Sequence, residues 1–282
     1  MKDRVKNIAA GIGYLALFFG VNVLVTFVTE FIYGFKIGQE IAATGGTFDQ
    51  QAIVQGLMDF ITEHTTLMTL VYQLLTLAII WLIFMIRKKH FCQEVTLVSF
   101  DKKSILPILV MGVAVQLFVS YALELLPIPE DILNEYMQAS APILQKQNIV
   151  LQIIAVAVVA PIAEEVIFRG LILSRFRKAM PAVLAVILSS ALFGLVHGQI
   201  IWMIYATGMG ILFSVVAIRE KSIGASVLLH MAINFSALFV DLIPVKGMVM
   251  GMLCAGAFVI IVAMLYIIVK KEKEIYPNSM ND

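Results

Sequence analysis

Six polar side chains lie inside strongly apolar stretches of the second half of the chain, and their types suit hydrolysis. The segment "VAPIAEEVIFRG" carries three charges, "FGLVHG" ends near a histidine, and "HMAIN" contains a histidine and an amide; the residues are Glu164, Glu165, Arg169, His197, His230 and Asn234. A carboxylate can activate water, imidazoles can hold it, and an amide can donate a hydrogen bond to an oxyanion. Together these residue types predict a site for peptide-bond hydrolysis.

The spacing of these residues assigns them to helix faces. Glu165 and Arg169 are four residues apart, so on a helix they share a face and can form an ion pair. That pair would leave Glu164, about 100° around the helix, as the acid without a local partner. His230 and Asn234 are also four apart and would face the same neighbouring helix. Purely structural roles are the alternative: an ion-pair clamp, an interfacial histidine, and an amide that hydrogen-bonds a neighbouring helix.

The elements that must position this set are membrane helices. Of the 282 residues, 61% are hydrophobic and 14% are charged, far from the roughly one-quarter charged composition of soluble domains. Apolar runs of about 17 to 25 residues without period-two alternation predict an all-α, polytopic transmembrane bundle, and residues 1–282 form a single integral membrane domain. A net charge of +1 gives no basis for a nucleic-acid partner, and Cys92 and Cys254 form no CxxC-type signature.

We predict about eight spans: 8–32, 66–86, 105–126, 149–173, 181–197, 200–218, 223–240 and 247–269. Lysines and arginines precede the first span and follow the second, fourth, sixth and eighth, whereas the alternate connections carry mainly acids. By the positive-inside rule both termini are cytoplasmic. After Asp49, a candidate N-cap, we expect a short amphipathic helix that is separate from the second span.

Depth in the membrane raises a difficulty for the site. An ionisable residue within a span costs about 2.5–3.5 kcal/mol and usually faces the bundle interior. Glu164 would lie about 22 Å from the outer end of its span at 1.5 Å per residue, at a level similar to that of His230. His197 would lie near the outer face. The three meet only if the fifth and sixth helices form a short hairpin whose "HGQ" turn is submerged in protein.

The motifs resemble those of a known family of membrane proteins. "EEVIFRG" resembles an E-E-x-x-x-R motif, "FGLVH" an F-x-x-x-H motif and "HMAIN" an H-x-x-x-N motif of the CPBP intramembrane proteases, or Abi family. That family includes the type II CAAX prenyl endopeptidases and bacteriocin-processing and immunity proteins. The match covers a catalytic core of about 150–240. The resemblance implies a protease in which Glu164 is the general base, supported by Glu165 and Arg169.

The resemblance also implies roles for the remaining residues. His197 and His230 would bind the water or a metal, and Asn234 would polarise the scissile carbonyl or hold the oxyanion. Glu164, His197 and His230 could ligate zinc, which lowers the pKa of bound water to about 7, and a metal-free glutamate base remains the other reading. HExxH is absent. The substrate would be a membrane-associated peptide or protein, in a lipid bilayer that we expect to be a prokaryotic plasma membrane.

Two other functions fit the sequence. One is a membrane regulator or bacteriocin immunity protein that binds a partner without cutting it. The other is a proton-coupled transporter that uses Glu164 and the histidines as a relay, although the chain shows none of the internal symmetry common in transporters. Cleavage that depends on Glu164 and His230 distinguishes a protease from both.

Overall fold

The computed structural model describes residues 1–44, 49–144, 148–240 and 245–275, and all regular elements in these ranges are helical. The helices are α1 Lys2–Thr44, α2 Gln50–Ile86, α3 Phe91–Glu94, α4 Ile105–Leu125, α5 Glu130–Leu144, α6 Ile149–Gln152, α7 Ala160–Glu165, α8 Ser174–Arg177, α9 Ala182–Leu195, α10 Ile200–Arg219, α11 Ile223–Ala237 and α12 Met248–Ile275. A short 3-10 turn, Lys102–Ser104, leads into α4. The predicted polytopic helical bundle is confirmed.

Six helices in the described residues are long and apolar enough to cross a membrane. They correspond to the predicted first, second, third, fourth, sixth and eighth spans. The predicted fifth and seventh spans are apolar helices of only 14 and 15 residues, α9 and α11. At 1.5 Å per residue each is about 22 Å long, which is shorter than the ~30 Å hydrocarbon layer.

The first two helices extend well beyond their predicted spans. Asp49 caps α2, because its carboxylate accepts hydrogen bonds from the backbone N–H groups of Gln51 and Ala52. The prediction of a separate amphipathic helix after this cap is wrong, since α2 continues without interruption to Ile86. The polar sequence near its middle does not break it: Thr65 Oγ1 donates to the Ile61 carbonyl at 2.8 Å, so the polar group bonds within the helix.

The predicted fourth span is a long helix, Ile149–Arg177, which we call the central helix. It consists of α6, α7 and α8 joined by two π-helical segments, Ile153–Val159 and Val166–Leu173. π-helical turns are rare and occur often at functional sites. Here they flank α7, the short segment that ends with Glu164 and Glu165.

The central helix is the most buried of the six long helices and α12 is the least. It contacts α1, α2, α9, α10 and α11. On one side, α9 and α10 form a tight antiparallel hairpin. A Cβ added to Gly194 would lie 2.5 Å from the Met203 carbonyl oxygen, so glycine is needed where the two backbones approach most closely.

Candidate active site

The ion pair predicted within the central helix is present and deeply buried. Arg169 Nη1 lies 2.8 Å from Glu165 Oε1, and the two side chains are 2% and 0% exposed. Removing one partner of a buried ion pair lowers the free energy of unfolding by about 3–5 kcal/mol, because the other charge is left without a partner. The predicted ion pair is thus present: it engages Oε1 of Glu165 and leaves Glu164 to a different set of neighbours.

Arg169 also connects the central helix to the hairpin. Its Nη2 donates to the Gly210 carbonyl at 3.1 Å. Its guanidinium carbon lies 4.3 Å from the centroid of the Phe193 ring and 5.0 Å from that of Phe213. A planar guanidinium stacks well on aromatic faces. One side chain therefore fixes the positions of α9 and α10 against the helix that carries both acids.

His230 lies between the two glutamates. Its Nδ1 is 3.2 Å from Glu165 Oε1 and its Nε2 is 3.8 Å from Glu164 Oε2. Because the Glu165 carboxylate only accepts hydrogen bonds, Nδ1 carries a proton, and Nε2 faces Glu164. The ring stacks on Phe213 at a centroid distance of 4.5 Å. The imidazole is thus held in one orientation.

Glu164 has a second polar neighbour that sequence reasoning missed. Gln73, on α2, donates from Nε2 to Glu164 Oε1 at 3.2 Å and to the Tyr72 hydroxyl at 3.1 Å. Gln73 is completely buried. Its signal in the sequence was an amide in the middle of an apolar span, the same kind of signal that identified Asn234. Tyr72 gave no signal, since tyrosine is common in membrane helices.

His197 lies at the turn of the hairpin, against Phe193. Its Nδ1 is 2.8 Å from the Phe193 carbonyl, which can only accept, so Nδ1 carries the proton and Nε2 is left with a lone pair. The two rings meet edge to face at 5.0 Å. Phe193 also contacts the ring of His230 at 5.9 Å. Each imidazole thus packs on the same phenyl ring.

Asn234 bonds the backbone of the central helix. Its Nδ2 donates to the Val156 carbonyl at 2.9 Å. In a π-helix each backbone N–H donates to the carbonyl five residues earlier, as the Ala160 N–H does to the Ala155 carbonyl. The Val156 carbonyl would therefore accept from the N–H of residue 161. Residue 161 is proline and has no N–H. Asn234 thus satisfies a carbonyl that Pro161 leaves without a donor, and its second Nδ2–H stays available.

One cavity of about 450 Å³ brings the predicted residues together. Glu164, His197, His230 and Asn234 all line it. Glu165 and Arg169 lie behind it in the protein interior. The cavity also extends along α1, α2, α4 and α5, where its largely apolar wall includes hydroxyl and amide side chains; these are Asn22, Thr65, Thr66, Thr69, Tyr72, Gln116, Ser120, Tyr136 and Ser140. The turn of the hairpin therefore does reach the level of the two glutamates.

The three residues suggested as zinc ligands do not form a ligand set in this arrangement. Within the ranges that the structure describes, no three His, Cys, Asp or Glu side chains come close enough to hold a metal ion. The reason is local: His197 and His230 each pack on Phe193. Glu164 Oε2 and His230 Nε2 are 3.8 Å apart, and His197 does not join them as a third close group.

Comparisons with known proteins match parts of the chain, and one matched part contains these residues. Residues 146–236 match the family model described as type II CAAX prenyl endopeptidase Rce1-like. Over 101 residues the chain is 32% identical to a Bacillus subtilis (strain 168) protein named "Putative membrane peptidase YdiL". The aligned stretch is 36% of this chain and 41% of that protein, so it spans less than half of either. No solved structure matches the chain significantly.

Proposed function

We propose that the protein is an intramembrane endopeptidase of the CPBP family, because residues 146–236 match the Rce1-like family model and the chain is similar to a protein named as a putative membrane peptidase. Its nucleophile is a water molecule activated by Glu164. The observation that carries the proposal is the 3.8 Å separation of Glu164 Oε2 and His230 Nε2 at the wall of a cavity that His197 and Asn234 also line. A water about 2.8 Å from both atoms would be held by a base and an imidazole.

The reaction follows from the hydrogen-bonding capacity of each group. Glu164 removes a proton from the water, whose oxygen then forms a bond to the scissile carbonyl carbon. The second Nδ2–H of Asn234 donates to the developing oxyanion. As the C–N bond breaks, Glu164 returns the proton to the amine nitrogen, so the carboxylate is regenerated. Glu165 and Arg169 act indirectly, because they hold His230 and the hairpin in place.

His197 enters this scheme as a neutral imidazole. Since its Nδ1–H is used by the Phe193 carbonyl, its Nε2 can accept a hydrogen bond from the substrate backbone or from a second water. The reaction as proposed contains no metal step, because the described residues do not form a three-ligand set. Accordingly we expect a chelator to leave the cleavage rate unchanged, and metal analysis of the purified protein to find less than one equivalent of zinc.

The proposed substrate is an extended peptide segment at the membrane, such as a leader peptide or a lipid-modified tail. The hydroxyl and amide groups in the cavity wall support this, since they can bond a peptide backbone. The proposed location is a prokaryotic plasma membrane, crossed several times by the chain.

The test is cleavage by purified protein in lipid nanodiscs. The probes are internally quenched peptides of two kinds, one with a farnesylated cysteine in a C-a-a-X terminus and one with the same sequence unprenylated. New peptide ends are identified by mass spectrometry. We expect cleavage of at least one probe, with a loss of about 10²–10⁴-fold in Glu164→Ala and His230→Ala, the range usual for general acid–base catalysis.

Two substitutions outside the cavity serve as matched controls. Glu124 is an exposed acid near the end of α4, and the His64 imidazole bonds only the Phe60 carbonyl of its own helix. Glu124→Ala and His64→Ala should cleave at the wild-type rate. Cleavage that persists in Glu164→Ala would overturn the proposal. Proton-coupled flux without new peptide ends would instead support a transporter.

A further inference from the structure

We propose that Gln73, which lies outside the matched segment, is a positioning residue for the reaction: its amide orients the Glu164 carboxylate and the Tyr72 hydroxyl at the cavity wall. This inference rests on the proposed function. It adds a residue from a different helix, α2, to a site that otherwise comes from the central helix, the hairpin and α11.

The first step of the argument is that the amide can have only one orientation. An ionised Glu164 carboxylate only accepts hydrogen bonds, so the side-chain nitrogen of Gln73, and not its oxygen, must face Glu164 Oε1. The same nitrogen lies 3.1 Å from the Tyr72 hydroxyl oxygen. Both N–H bonds of the amide are then used, one for each partner.

The second step concerns what these two bonds fix. Because Gln73 holds Oε1 of Glu164 at 3.2 Å, the other oxygen, Oε2, is the one that faces His230 Nε2. The carboxylate therefore presents a single oxygen to the water site. Tyr72 receives a hydrogen bond from Gln73, so its own proton is free to donate to a group in the cavity, which the Tyr72 side chain lines.

The third step is that packing alone does not account for an amide here. Gln73 is 0% exposed, and among the described residues its Oε1 has no hydrogen-bond partner. A buried polar atom without a partner is destabilising, and methionine would fill a similar volume without that cost. A side chain that loses stability in this way yet bonds the proposed base is better explained by its effect on the base.

The test separates positioning from packing with two variants. Gln73→Met keeps the length of the side chain and removes the donor, and Gln73→Asn keeps an amide that is one methylene too short to reach Glu164. Using the quenched peptide probes in nanodiscs, we expect kcat to fall about 10- to 100-fold in both, the loss typical of a hydrogen bond to a charged group. KM should change less than threefold, and the melting temperature of Gln73→Met should equal or exceed that of the wild type.

The matched control is Thr76→Val, one turn along α2. Thr76 is also 0% exposed, but its hydroxyl donates to the Tyr72 carbonyl of its own helix at 2.7 Å and not to Glu164. Its kcat should stay within about twofold of the wild type. A role in packing alone would lower the melting temperature of Gln73→Met and leave the kcat of the folded fraction unchanged, which overturns the inference.

The two proposals fail in different ways. If Glu164→Ala abolishes cleavage while Gln73→Met and Gln73→Asn keep the wild-type kcat, only the role of Gln73 is wrong. If the wild type cleaves neither probe, or Glu164→Ala cleaves like the wild type, the endopeptidase assignment fails and the role of Gln73 fails with it. Should Gln73→Met not fold, Gln73→Asn decides the question, since it keeps a buried amide at this position.

Discussion

At the scale of single residues, two adjacent glutamates have opposite surroundings. Glu165 is fully buried and shares Oε1 between Arg169 at 2.8 Å and His230 at 3.2 Å. Glu164 lies at the cavity wall and contacts an amide and the second nitrogen of His230. Adjacent positions on a helix point about 100° apart. One acid consequently faces the interior and stabilises the bundle, and the other faces the space where a substrate would bind.

This difference predicts different effects for the same substitution. Glu165→Gln leaves the buried Arg169 without its counter-charge, so we expect a loss of about 3–5 kcal/mol in the free energy of unfolding. Glu164→Gln removes no such pair and should unfold at the wild-type temperature while its cleavage rate falls. Thermal unfolding in nanodiscs, measured beside the cleavage assay, checks both. Equal losses of stability in the two variants would contradict this division of roles.

At the scale of helices, proline and the π-helical register decide the form of the central helix. Pro161 has no N–H, so in the π-helical register the carbonyl of Val156 has no backbone donor. Asn234 donates to that carbonyl from α11. The irregular turn therefore holds two helices together, and it precedes Glu164 by a single turn of α7. Here a backbone defect in one helix fixes the position of a side chain on another.

The coupling between Pro161 and Asn234 can be measured in a double-mutant cycle. Asn234→Leu should destabilise the protein by about 1–3 kcal/mol, because it leaves the Val156 carbonyl without a donor. In a Pro161→Ala background residue 161 regains an N–H, so the cost of Asn234→Leu should fall by about 1 kcal/mol.

Ser236→Ala is the control for this cycle, since Ser236 on α11 bonds only the Ala232 carbonyl of its own helix. Its effect should add independently to that of Pro161→Ala. If Asn234→Leu costs the same in both backgrounds, the compensation of Pro161 by Asn234 is wrong.

The hairpin gives a second prediction at the scale of helices. In Gly194→Ala the new Cβ would lie 2.5 Å from the Met203 carbonyl oxygen, a backbone atom that cannot rotate away. We expect α9 and α10 to separate, with a loss of about 1–3 kcal/mol in stability and a lower cleavage rate, because His197 follows Gly194 by one turn.

Gly208→Ala is the matched control on α10. A Cβ there meets nothing within 4 Å, so this variant should be neutral or slightly more stable, as alanine favours a helix over glycine by up to about 1 kcal/mol. Thermal unfolding and cleavage are measured for both variants. Equal effects would show that the hairpin does not depend on close packing at Gly194.

At the scale of the whole molecule, α1, α2, α9, α10 and α11 contact a central helix that carries two acids, and α12 packs against α4 and α10. The short helices α9 and α11 supply the three other cavity residues. At 14 and 15 residues, these two helices are shorter than the bilayer is thick. The turn after α9 places His197 at the wall of the cavity that Glu164 also lines.

The orientation of this bundle is predicted by the positive-inside rule and can be tested by cysteine labelling. Cys92, in α3 between the second and third spans, is exposed. In a Cys254→Ser background, a membrane-impermeant maleimide should label Cys92 only after the membrane of intact cells is permeabilised. A cysteine placed by Glu130→Cys, at the start of α5, should react without permeabilisation. The reverse pattern would invert the topology.

The sequence by itself determined the helical membrane class, the apolar segments, the Glu165–Arg169 pair and the candidate residues, because composition and helical spacing are local properties. It did not distinguish the long apolar helices from the shorter α9 and α11, and it wrongly divided α2, because apolar content alone does not show where a helix ends. Only the tertiary structure decided that Gln73 meets Glu164, that Asn234 compensates Pro161, and that Phe193 holds both imidazoles. Each of these contacts joins different helices, and the distance between two helices depends on how all their side chains pack, which no single segment of sequence encodes.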